Sequence, residues 1–162
     1  MAILPIVQLG DPVLRVPTVA VRRFDRGLGR LLDDMTDTMR NAPGVGLAAN
    51  QVGRTERVAV IEVHGRHIEL VNPVLVRVDG TQTDLEGCLS LAGYYAPTTR
   101  ADRAVVTAHD RRGRPIRVAG RGFLARALQH ELDHLDGRIY VDRLESLDAL
   151  QRADEDGELL AD

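Results

Sequence analysis

Two histidines four residues apart, with a glutamate beside the first, stand in the run His130-Glu131-Leu132-Asp133-His134. On a helix, residues at this spacing lie one turn apart on one face, so both imidazoles reach a single metal ion. Glu131 then sits where a carboxylate exchanges protons with metal-activated water. Leu124, Leu128, Leu132 and Leu135 supply the apolar stripe such a helix needs. A hydrolytic centre requires a third protein ligand and an open position. A histidine six positions after His134 would serve, but that position holds Tyr140, although Gly137 is in place for such an arrangement. A glutamate from a following helix leaves Glu145, Glu155 and Glu158. The remaining choice is Cys88, from an upstream loop, in Glu86-Gly87-Cys88-Leu89-Ser90.

The elements that position these residues read as a single α+β domain. The 162 residues are 44% hydrophobic with 3% aromatics and no Trp, so an aliphatic core is expected, in a chain long enough to bury one. Residues 5–22, with Pro5, Pro12 and Pro17, read as an extended lead-in with turns. Phe24 to Asn41 carries Leu28, Leu31, Leu32, Met35 and Met39 at helical spacing. Strands follow over Val58–Val63, Ile68–Val78 (interrupted at Pro73), Ala104–His109 and Pro115–Val118, the last two as a hairpin. The metal-bearing helix spans Gly122 to Leu135 with Gly137 as its stop, and Ile139-Tyr140-Val141 adds a short strand. The expectation is therefore antiparallel strands around a central metal-bearing helix, with an N-terminal helix and a short acidic C-terminal segment. Residues 1–144 form the catalytic domain and 145–162 an acidic tail, helical or frayed.

Charge and composition narrow the function further. All 21 basic residues are arginine, against 24 acids, for a net charge of −3, so no global basic field points to nucleic acid, DNA included. Residues 142–162 hold eight acids and two arginines. No apolar run is long enough for a membrane helix, and the N-terminus lacks the basic and apolar regions of a secretory signal. A single cysteine cannot close an intramolecular disulfide, which favours a reducing compartment. His64, His67 and His109 fall at strand ends and read as surface or turn residues.

Taken together, Gly44-Val45-Gly46-Leu47-Ala48-Ala49-Asn50-Gln51, Glu86-Gly87-Cys88-Leu89-Ser90 and Gln129-His130-Glu131-Leu132-Asp133-His134-Leu135-Asp136-Gly137 resemble the three motifs of the peptide deformylases, in order and with family-like spacing. The resemblance runs more loosely from about Ile6 to Leu144. It implies a bacterial, cytoplasmic hydrolase that removes the formyl group from the N-terminal formyl-methionine of nascent polypeptides. Cys88, His130 and His134 would ligate one divalent metal, Fe2+ by resemblance, with Zn2+, Ni2+ or Co2+ able to occupy the site. Metal-bound hydroxide would attack the formyl carbon, with Glu131 as base and then acid. The Gln51 amide and the Leu89 backbone N–H would meet the oxyanion.

The glycines permit close backbone approach, so Val45, Gly46 and Gly87 are expected to pair with an extended peptide. Phe123 and Ala127, with Val45 and His130, are expected to line the methionine pocket, and Asp133 and the pair Glu86–Arg100 to support the ligands. Two departures stand out. Leu91-Ala92 replaces a β-branched residue and proline. Arg126 occupies a position where apolar residues also occur, and is expected to snorkel toward solvent over the pocket or contact substrate. The resemblance also implies transient contact with the ribosome, for which the acidic tail has the wrong charge. The competing readings are a peptidase and a non-catalytic metal-binding module. Tyr140 and the Cys88 segment disfavour the first, and Glu131 with Gln51 the second.

Overall fold

The computed structural model describes residues 2–153, and residues 154–162 of the acidic tail lie outside them. Helix α1 (Arg26–Asn41) begins at Asp25, whose carboxylate accepts from the Leu28 N–H at 3.0 Å, the usual N-cap device. Strands β1 (Gly46–Ala48), β2 (Val58–Val63), β3 (Arg66–Asp79), β6 (Arg103–His109) and β7 (Pro115–Arg121) form one five-stranded sheet in the order β1-β2-β3-β6-β7. A smaller sheet pairs β4 (Gln82–Cys88), β5 (Leu91–Arg100) and β8 (Gln151–Arg152). All these pairings are antiparallel. Helix α2 (Gly122–Leu135) carries the two histidines.

The two helices bury separate aliphatic layers. Leu28, Leu31, Leu32, Met35 and Met39 of α1 pack with Leu47, Val58, Val60 and Val71. Ala125, Leu128 and Leu132 of α2 pack with the inward residues of the sheet, among them Ile61, Leu70, Val106 and Val118. Removing such surface from water is the main force fixing α2 against the sheet.

The lead-in straps the three motifs together. Val7 N–H donates to the Gln51 carbonyl (2.7 Å), Leu9 N–H to Ser90 (2.8 Å) and Thr18 N–H to Leu135 (2.8 Å). A side chain at Gly137 would strike the Arg15 carbonyl at 2.6 Å, so this glycine, in the left-handed region at φ 80°, serves the strap as well as the helix stop.

Three expectations are corrected. Tyr140–Arg143 is a 3-10 turn, not a strand, because Ile139 N–H is taken by Asp142 Oδ2 at 2.9 Å. Cys88 ends strand β4 at an irregularity between Gly87 and Cys88, so it is held by a sheet rather than a free loop. In the described part of the tail, residues 145–153, Leu147–Ala149 forms a 3-10 turn and Gln151–Arg152 pairs with Tyr94 and Tyr95 of β5, rather than a helical or frayed segment; the expectation for residues 154–162 lies outside the described residues.

Candidate metal centre

Helix α2 and the end of β4 bring Cys88, His130 and His134 together, with one ligating atom of each within 4.8 Å of the others. Cys88 Sγ lies 3.1 Å from His134 Nε2. His130 turns Nδ1 to Glu86 Oε1 at 2.5 Å, while its Nε2 lies 3.8 Å from Glu131 Oε1. Glu131 is 2% exposed, and its Oε2 has no hydrogen-bond partner among the described residues. A thiolate, two imidazoles and an adjacent unpartnered carboxylate oxygen fit a divalent cation with three protein ligands and an open position.

The electrostatics follow from burial. Burial pushes the Glu131 carboxyl up to about 7. Burial also opposes a charge on His130, but its bonds to Cys88 and Glu86 prevail and hold its pKa well above the usual imidazole value. His134, buried and beside His130, is held far below it.

The supporting groups form a dense charged network. Glu86 accepts from Arg100 (Nη2 2.5 Å, Nε 3.0 Å), from Arg126 Nη1 (2.5 Å) and from His130. Burial disfavours the Glu86 anion, yet its bonds to His130 and Arg100 dominate and hold its pKa far below the usual carboxylate range. Arg100 also reaches Asp133 Oδ2 at 2.7 Å, and Arg143 grips both Asp133 oxygens at 2.6 and 2.8 Å. Glu86, Arg100 and Asp133 therefore do meet at the ligand helix.

Arg126 does not snorkel toward solvent. It is 3% exposed, its guanidinium on Glu86 and 3.3 Å from Gln82 Oε1. A buried guanidinium needs an acidic partner, and strand β4 supplies it. Sequence reasoning missed this role, although Arg126 precedes His130 by one turn on the same helix face. It also missed Tyr140, whose buried ring stacks on His130 with centroids 6.2 Å apart.

The first motif closes the site from the other side. Ala48 N–H donates to Gln51 Oε1 (2.9 Å), and Gln51 Nε2 donates to Ser90 Oγ (3.1 Å) with Cys88 Sγ at 3.5 Å. Asn50 Nδ2 donates to the His134 carbonyl, tying the same turn to the end of α2. A Cβ on Gly46 would stand 2.9 Å from Glu131 Cδ, and one on Gly44 2.7 Å from Leu89 Cδ1. The backbone here thus approaches the site more closely than any side chain permits. The Leu89 carbonyl is held by Gln8 Nε2 at 2.9 Å. Among the expected substrate residues, Ala127 is buried, whereas Val45 (45%) and Phe123 (47%) are exposed, the latter with its ring 6.4 Å from His64.

Comparison with known proteins agrees with this geometry. The family model described as polypeptide deformylase matches residues 3–150. The peptide deformylase of Heliobacterium modesticaldum is 51% identical over 146 residues, covering 90% of this chain and 97% of the relative. Peptide deformylase 1 of Bacillus subtilis is 48% identical, covering 89% and 91%. The crystal structure of a peptide deformylase from Legionella pneumophila superposes with a TM-score of 0.87 at 44% identity, covering 90% and 88% of the two chains. That of the Synechococcus elongatus enzyme, in complex with actinonin, gives 0.86 at 41% identity, covering 89% and 80%. By sequence and by fold, the chain belongs to the polypeptide deformylase family.

Proposed function

We propose that the protein hydrolyses the formyl group from the N-terminal formyl-methionine of nascent polypeptides in the bacterial cytoplasm, releasing formate and a free amine. The observation that carries this reading is the cluster of Cys88, His130 and His134 beside the unpartnered Glu131 oxygen. Cys88, His130 and His134 would hold one divalent cation, which when bound supplies Lewis-acid polarisation and a lowered water pKa. We take it to be Fe2+ on the family resemblance, with Zn2+, Ni2+ or Co2+ as substitutes, although the donor set by itself would point first to zinc.

The remaining chemistry belongs to the chain's own groups. Glu131 accepts a proton from the attacking water and returns it to the departing amine. The Gln51 amide, braced by Ala48 and Ser90, and the Leu89 N–H donate to the oxyanion. Glu86 fixes the orientation of His130, and Arg100 and Asp133 fix Glu86 and the helix beneath it. The substrate backbone pairs with Val45 and Gly46 on one side and Gly87 on the other, as an added strand. Its methionine side chain enters beside Ala127, with Phe123 and Val45 at the mouth.

Residues 1–144 form the catalytic unit on this reading, and 145–162 an acidic appendage whose contact with a ribosome would be transient at most. The test is formate release from formyl-Met-Ala-Ser by protein purified anaerobically with iron, beside the unformylated peptide. Formate with the Met-Ala bond intact is expected. Absence of formate from folded, metal-loaded protein would overturn the proposal.

A further inference from the structure

The outer face of the β3-β6-β7 sheet, opposite the face that packs on α2, carries a feature that formyl hydrolysis does not use. Ala104, Val106, Ala108 and Val118 point inward to α2, so the alternate residues of β6 and β7 point to solvent. Cross-strand register places Arg103 directly opposite Arg121, Val105 opposite Ala119 and Thr107 opposite Arg117, with Arg77 of β3 beside Val105. Like charges directly opposite on a sheet are destabilising. Among the described residues, Arg103, Arg117 and Arg121 take no ion pair. Asp79, which stands opposite Arg103, is engaged by Arg77 at 2.9 Å.

Two open cavities lie along this face and meet at Arg117. One, about 210 Å³, is lined by Arg77, Asp79, Arg103, Arg117 and Arg121. The other, about 410 Å³, is lined by Val74, Thr107, His109, Pro115, Ile116 and Arg117. The result is a trough with a cationic half and an apolar half. In the apolar half, His109 Nδ1 is shielded from water yet has no hydrogen-bond partner among the described residues.

We propose that this trough docks single-stranded RNA. Guanidinium groups match phosphate oxygens in fork geometry, and the Arg103–Arg121 pair, whose neighbour Asp79 is already engaged by Arg77, gains most from a polyanion. The apolar half, beside the exposed Val74 and Pro115, offers a surface for a base. In a protein of net charge −3, this cationic patch lies on the face of the sheet opposite the one that packs on α2. The inference is independent of the deformylase reading.

The test is fluorescence anisotropy of a fluorescein-labelled 20-residue oligouridine between 50 and 250 mM KCl. Single-strand binding loses about 0.7 in the slope of log K against log salt for each phosphate contact removed. The triple variant Arg103→Gln/Arg117→Gln/Arg121→Gln should therefore bind at least tenfold more weakly at 100 mM and lose about 2 from the slope. A control triple, Arg30→Gln/Arg66→Gln/Arg152→Gln, changes net charge equally on other surfaces and should keep the slope. Both should retain the wild-type Tm and circular dichroism. No binding at 50 mM salt, or equal losses in the two triples, would overturn the proposal. Displacement by polyglutamate as readily as by unlabelled RNA would reassign the trough to acidic peptides.

Discussion

Helix α2 faces two different media across its width. Toward the five-stranded sheet it presents Ala125, Leu128 and Leu132 to other aliphatic side chains. Toward β4 and β5 it presents Arg126, His130 and Asp133, each met by a charged partner. The first face is held by area removed from water, a non-directional force that accepts any side chain of suitable volume. The second face must desolvate several ions, which by itself opposes folding and is offset only while every partner is in place. The helix is thus anchored by one side and aimed by the other. The two sides should fail in different ways.

The largest separation is expected at the site itself. Glu131→Gln should lower kcat by about 10²–10⁴ while the protein keeps its metal, as measured by formate release and metal analysis on the same sample. Full activity in that variant would remove the acid–base role.

On the anchoring face, Leu128→Ala should cost about 2–5 kcal/mol in denaturant unfolding and leave kcat near that of the wild type while the protein is folded. A comparable loss of kcat would show that the two faces are not separable.

Next comes pH. A carboxyl whose folded pKa is raised stabilises the fold fully below its unfolded value and loses that contribution as pH rises through the folded one. For Glu131, pushed up to about 7 by burial, the window runs from about 4.5 to 7. Metal-free protein should therefore lose several degrees of Tm between pH 5 and 8 relative to the Glu131→Gln variant. A constant Tm difference over this range would contradict the burial effect.

The smallest effect is expected on the aiming face. Arg126→Met should weaken Co2+ affinity about 10–100-fold in chelator competition, with Arg126→Lys recovering part of it. Unchanged affinity in a folded Met variant would confine Arg126 to packing.

How much of this was legible in the sequence divides along the same line. Helical periodicity exposed α1 and α2, because an apolar stripe is a local signal. The His130–His134 spacing and the segment around Cys88 were legible for the same reason. Strands β4 and β5 were not, since Gln82-Thr83-Asp84-Leu85-Glu86 lacks the alternation of a half-buried strand and its partners lie across a turn. The fate of Arg126 was hidden because its burial depends on Glu86, forty residues earlier in the chain. Charge pairing at that range leaves no periodic trace. Val45 and Phe123 are apolar yet exposed, so neither belongs to the core that a hydrophobic pattern alone would assign them to.

The bare backbone beside the site has a consequence for inhibition. At Gly44, Gly46 and Gly87 even a methyl group would collide with Leu89, Glu131 and Tyr95 respectively. If the substrate lies along this backbone as proposed, a compound that draws its grip from main-chain groups at these three positions presses where drug resistance has few routes. Each simple substitution that pushes it away also displaces a neighbour the enzyme holds close. On the same reading, escape is more easily sought at exposed side chains such as Val45 and Phe123, so a durable inhibitor should depend on them least.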